Sequence, residues 1–262
     1  MSDNELNFVA GAGSVYLAAL GADGLPDDDG FRYVGNVESI NINLTTERLV
    51  AWTSDDQIRQ KAIDVPTSVD RGGAMVIDEP DEDNLGLFFF GDTGTYNQSN
   101  TPVTDEAVTA SAKGGRWYQL GVTAANPAGV RDVSSVTLDD GDTTTYDAGD
   151  DYELDAEMGR FYVVPGGAMV GENVEADYTP ADSDYQQVQT REDDNPEFVL
   201  LYKENARAGL DRDMTLHRCK ISPDGDFSLK DAESHQQIPL QIDVLVPEID
   251  APAMTIRRRV AD

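Results

Sequence analysis

Thiols, lysines and histidines are scarce in this 262-residue chain, which has one cysteine (Cys219), five lysines and two histidines (His217, His235). A single cysteine excludes an intramolecular disulfide framework and a metal site built mainly from thiolates. No apolar run reaches the 18 residues of a membrane-spanning helix, and no charged-then-apolar leader follows Met1. The expectation is a soluble protein made in the cytoplasm. Catalytic signatures are missing too: there is no G-x-S-x-G elbow, no phosphate-cradling glycine loop and no H-E-x-x-H. His217 and Cys219, two apart on an expected strand, would point to one face and could form a metal or nucleophile-base pair. No third ligand stands at a familiar spacing, so they read as packed side chains. The acid-dense turns, Asp27 to Asp29 and Asp139 to Asp151, lack the ordered spacing of a helix-loop-helix calcium site and read as solvated acids. The expectation is therefore a non-enzyme with no cofactor and no metal.

Negative charge is abundant. There are 35 Asp and 15 Glu against 14 Arg and 5 Lys, a formal net charge of −31 and a pI near 4.1. At a Debye length of roughly 8 Å such charges repel along the surface, and in molar salt, where the length falls to about 3 Å, the repulsion nearly vanishes. A halophilic setting is expected, against the plainer reading of an ordinary acidic solvated surface.

Strand signals dominate. Ile40, Ile42 and Leu44 alternate with Asn41, Asn43 and Thr45, and near the other end Ile238, Leu240, Ile242 and Val244 alternate with Pro239, Gln241 and Asp243. Period two with one polar face marks a half-buried strand, and Pro239 requires that the second strand begin or lie at an edge there. Further strands are expected at Ser14 to Leu20, Ala74 to Ile77, Phe198 to Tyr202 and Met214 to Ile221. One short helix is expected at Asp83 to Phe90, with acids before the apolar stretch and Gly91 at its end. Asp23 to Gly30 reads as a turn, and Thr53 to Arg71 and Gly91 to Thr104 read as long loops.

The segment TTYDAGDDYELDAEMGRFYVVPGGAMVGENVEADYT reads as strands joined by glycine turns, a compact β-meander with its own small core. The expected organisation is a discontinuous core of residues 1–112 and 183–262 with an inserted small β domain at 113–182.

In order along the chain, GSVYLAAL, GFRYVGNVESININL, a long loop, DNLGLFFFGD, TTYDAGDDYELD, ENARAGLDRDMTLHRCKISPDGDFSLKD and QIPLQIDVLVP resemble the major tail tube protein of a long-tailed virus. The resemblance runs from about Val9 to Pro247, although the DYELD segment also occurs in other virion proteins. It implies a mainly β fold: a β-sandwich of two roughly orthogonal sheets flanked by a helix, plus the insertion. It also implies six copies in a ring, rings stacked into a tube, and a virion tail assembled in the host cytoplasm. Tape-measure and tail-terminator or tail-tip proteins would be partners, and genomic DNA would pass through the lumen without specific binding. Closure would pair the edges that the two alternating strands leave open. Asn41, Asn43, Thr45, Gln241 and Asp243 become candidates to line the lumen, where an acidic or neutral wall would not hold phosphates. The loop Thr53 to Arg71 resembles one that reaches a neighbouring ring, with Ile58, Ile63 and Val65 as apolar anchors. Arg257, Arg258 and Arg259, the one basic cluster, are candidate subunit contacts on a tail that is otherwise expected to be disordered. A receptor-binding or baseplate protein with the same meander is the alternative, and an acidic secreted hydrolase is the weaker third.

Overall fold

The computed structural model describes residues 11–54, 57–141, 144–190, 196–206, 211–247 and 251–258. The fold is mainly β: 54% of residues are in strands and 3% in a single helix. The chain forms two compact units, residues 1–93 with 188–262, and residues 94–187. The second unit therefore begins well before the expected position 113.

In the first unit the strands are β1 (Gly13–Ala19), β2 (Arg32–Tyr33), β3 (Val37–Trp52) and β4 (Lys61–Ile77), followed by helix α1 (Glu82–Phe89). After the second unit come β13 (Glu197–Glu204), β14 (Arg212–Pro223), β15 (Ile238–Val244) and β16 (Met254–Arg258). All eight strands bond along one antiparallel path, β2-β1-β13-β14-β15-β4-β3, with β16 on β14. They do not form two separately bonded sheets, because β14 pairs with β13 along one edge and with both β15 and β16 along its length. The sheet curls: Ile40 and Ile42 of β3 line a groove of about 460 Å³ together with Tyr202, Met214 and Ile256.

Period-two strands build the core. Ile238, Leu240 and Ile242 of β15 are fully buried beside Met75 and Ile77 of β4, with Val15, Leu17, Leu200, Leu216 and Ile221. Each such side chain contributes about 1.5–3 kcal/mol of burial, and truncating Leu240 to Ala would cost about 2–5 kcal/mol. Pro239 sits where β15 begins: it lies opposite Val76 of β4, while pairing with β14 starts only at Leu240. A bulge in β14, between the pairs Leu200–Leu216 and Phe198–Cys219, changes which residues face inward. Cys219 joins Leu216 and Ile221 in the core, whereas His217 bonds Thr255 of β16 through Nε2 at 2.8 Å. The two do not share a face, and burial pushes the Cys219 thiol up to about 12.

Helix α1 is capped by Asp81, whose carboxylate accepts the Asn84 N–H at 2.7 Å, and it ends at Phe90 in the left-handed region, one residue before Gly91. Phe88 is buried against the sheet and lies 5.9 Å from the Phe227 ring. Asn84 is fully buried. Its side-chain amide donates to the Val34 and Glu79 carbonyls, and its oxygen accepts from Arg32.

Strands β5 (Gly91–Gln98) and β12 (Ser183–Thr190) pair with each other where the chain leaves and rejoins the first unit. The expected loop at Gly91 to Thr104 is therefore strand for most of its length. The second unit holds β6 (Val103–Thr109), β7 (Trp117–Gln119), β8 (Val133–Asp139), β9 (Tyr152–Asp155), β10 (Arg160–Val163) and β11 (Val174–Pro180). These make two three-stranded sheets, β7-β10-β9 and β6-β11-β8, in place of a single meander. The glycine turn after β10 delivers β11 to the other sheet, between β6 and β8. Leu120, Leu138, Phe161, Val163, Met169, Val174 and Ala176 are fully buried around one core, with Tyr118 stacked on Phe161 at 5.6 Å. Gly159, at φ +62°, turns β9 into β10 beneath the Val130 carbonyl. The acids of the DAGDD turn cap backbone: Asp151 accepts N–H groups from Asp147 and Ala168.

Candidate functional site

Strand β3 is 16 residues long and ends the sheet path, bonded only to β4. In an antiparallel ladder about half of a strand's N–H and C=O groups point away from its one partner, so β3 presents an unpaired edge among the described residues. A long open edge invites another chain, and proteins usually blunt it with proline, lysine or a short strand. β3 is long and contains neither proline nor lysine, so its edge is tempered only by Glu38, Glu47 and Arg48 and by the irregular register against β4.

Beyond Asn43 the β3–β4 hairpin leaves the core: from Leu44 to Trp52, and back from Lys61 to Asp70, every residue but Val50 is exposed. The expected loop at Thr53 to Arg71 shrinks to the turn 53–60, of which Asp55 and Asp56 lie outside the described residues. Ile63 and Val65 stand on β4, and Pro66 sits beside a bulge, a position where a strand tolerates proline. Leu49 is opposite Val65 and Ala51 is opposite Ile63, so the four share one face of the arm. Leu49 is 61% exposed, Val65 51% and Ile63 49%, and Ile58 in the terminal turn is 77% exposed. The opposite face carries charge. Asp64 pairs with Arg48 and with Lys61, at 2.8 Å, and the Lys61 ammonium lies over the Trp52 ring at 6.0 Å. These partners, Lys61 first and then Arg48, hold the Asp64 carboxyl below the usual carboxylate range. From Leu44 to Arg71 the sequence has five acids and four bases, a near balance in a chain of net −31. Sequence reasoning placed Leu44 on the buried side of a strand, whereas it is exposed, and it missed Leu49 and Trp52. The signal for them was the alternation of Ile63 and Val65 around Asp64, which marks a strand and therefore a partner strand.

The five residues expected to line a lumen come together on one face. Asn41, Ala74 and Gln241 form one row across β3, β4 and β15, and Asn43, Gly72 and Asp243 form the next. Thr45 follows beside Asp70 on β4. Asn41, Asn43, Thr45, Gln241 and Asp243 are all exposed, and Gln241 donates to Asp243 at 3.0 Å. The small residues at 72 and 74 keep the middle strand low between the amides and the carboxylate. Only β3 of the two alternating strands is at an edge, however, because β15 lies between β14 and β4.

Arg257 and Arg258 are not on a disordered tail. They lie on β16, exposed, with Arg257 opposite Asp213 and Arg258 opposite Arg212. Arg259 lies outside the described residues. β16 pairs with β14 alone and so is a further edge, beside β3 and the two-residue β2. Among the described residues no group of three or more His, Cys, Asp or Glu is placed to hold a metal ion, and no helix is long and apolar enough to cross a membrane.

A family model described as protein of unknown function UCP028589 matches residues 8–250. The chain belongs to that family. Comparison with curated proteins gives no match. The matched residues include parts of both units.

Proposed function

We propose that this chain is a structural subunit that pairs its open β3 edge with an edge of a neighbouring copy, closes into rings and stacks into a tube. The observation that carries this reading is the long open edge running into an arm whose apolar face has no partner among the described residues. An isolated subunit with such an edge is prone to aggregation, and closure of a ring removes the edge. The resemblance to a viral tail tube protein supplies the ring of six, the virion tail as location, and the tape-measure, tail-terminator and tail-tip proteins as partners. The exposed face of Asn41, Asn43, Thr45, Gln241 and Asp243 then forms a conduit wall that offers hydrogen bonds but no cation to grip a passing phosphate backbone. The arm, less acidic than the rest of the chain, reaches the next ring, and the basic β16 edge meets an acidic neighbour. Like charges on copies carrying −31 each repel, so assembly belongs in molar salt, the environment of a halophilic host.

Negative-stain microscopy of the purified protein in molar KCl tests the proposal. Hexameric rings and tubes are expected. Monodisperse monomers would overturn it, and trimers would favour a receptor-binding or baseplate component.

A further inference from the structure

We propose that the outer face of the β7-β10-β9 sheet in the second unit binds a neutral saccharide, with a pyranose ring seated on Trp117. Strand alternation divides this sheet cleanly. Tyr118, Tyr152, Phe161 and Val163 face the core, and Trp117, Arg160, Tyr162, Glu153 and Asp155 occupy the other side.

Trp117 is one of two tryptophans in the chain and is 47% exposed. It is also held in place. The Arg160 guanidinium lies 4.5 Å from the ring centroid and is itself fixed by Asp155, which accepts from Nε and Nη2 at 2.9 Å each. The Tyr162 ring stands 5.4 Å away, tilted by 50°. An exposed aromatic that is already immobilised loses little conformational freedom when a ligand lands on it.

The surrounding charge selects the ligand. Between Gly94 and Gln187 there are 17 acids and 4 bases, a net of −13, which disfavours an anion. The guanidinium over the indole repels a second cation. A neutral sugar meets neither repulsion and needs only the part of the ring that remains exposed. Its C–H face stacks on the indole, and its hydroxyls reach the exposed Glu153 carboxylate, which stands opposite Tyr162, and the Arg160–Asp155 pair. Stacking and uncharged hydrogen bonds also persist where molar salt screens ionic attraction.

The test uses the full chain in molar KCl, with Trp52→Phe leaving Trp117 as the single indole. Neutral cello-, malto-, manno- and chito-oligosaccharides are titrated at up to millimolar concentration, with indole emission and calorimetry as readouts. Saturable binding to at least one series is expected, weakened about tenfold or more by Trp117→Ala and more modestly by Arg160→Met. Circular dichroism checks that both variants remain folded. Absence of saturable binding across all four series would overturn the proposal, as would an affinity that Trp117→Ala leaves unchanged. A Trp117→Ala variant that dissociates oligomers without altering saccharide affinity would make this face a contact between copies, and the proposal would also fall.

Discussion

Replacing Leu49 and Val65 together by Ser strips the centre of the arm's apolar face while leaving every described hydrogen bond of the hairpin backbone in place. Leu49 is 61% exposed and Val65 51%, so the subunit's own fold draws only partly on them, and its unfolding free energy should fall by about 1 kcal/mol for the pair. Burying such a side chain completely yields about 1.5–3 kcal/mol. The shares still exposed correspond to about 1–1.5 kcal/mol each if a neighbour covers them, or about 2–3 kcal/mol per arm contact. That lowers an association constant by about thirty- to a hundred-and-fortyfold per contact. The assay is light scattering coupled to size-exclusion chromatography over a concentration series in molar KCl, with thermal melts of the same samples. The expected result is a melting temperature lowered by no more than a few degrees and a critical concentration for tube growth raised by about that factor, with rings persisting. Tubes of normal length at the original concentration would refute the assignment of this face to stacking.

Three further outcomes follow from the interior. Asn84→Ala removes an amide that satisfies the Val34 and Glu79 carbonyls and accepts from Arg32, so equilibrium unfolding of the first unit should show a loss of about 2–4 kcal/mol. The Arg218 hydrogen bond holds the Glu197 carboxyl below its usual range, so its contribution is fully present above the ordinary Glu pKa, about 4.3, and is lost as pH falls through the lowered value. Glu197→Gln should therefore lower stability near neutrality, where the ion pair contributes fully, and leave it unchanged at low pH, so that this part of the acid limb flattens. Gly159→Ala places a Cβ at φ +62° against the Val130 carbonyl, so calorimetry should show the second unit melting earlier, by about 1–3 kcal/mol of lost stability, with the first unit unmoved.

What the sequence revealed followed its periodicity. Ile238, Leu240 and Ile242 announce β15 because each polar neighbour faces water, and the acids ahead of the apolar run of Asp83 to Phe90, with Gly91 beyond it, announce α1, although sequence reasoning missed its cap at Asp81 and its left-handed Phe90. The arm stayed hidden because both of its faces are exposed and its apolar residues, Leu49, Ala51, Ile63 and Val65, are sparse among polar ones, while Pro66 is accommodated beside a bulge. The β16 strand was hidden because a short segment ending in three arginines gains order only by pairing with β14, some 40 residues earlier, a non-local contact with no local signature. The face shared by Asn41, Asn43, Gln241 and Asp243 was readable strand by strand, whereas its rows needed the register through Gly72 and Ala74. The bulge in β14 that separates His217 from Cys219 leaves no mark in composition.

Amide hydrogen exchange along Val37 to Trp52, followed in molar KCl at concentrations above and below assembly, reads the open edge itself. The account predicts that the β3 amides pointing away from β4 exchange rapidly in dilute single copies and become strongly protected in the assembled state. Assemblies in which those amides remain fast, or single copies in which they are already slow, would contradict it.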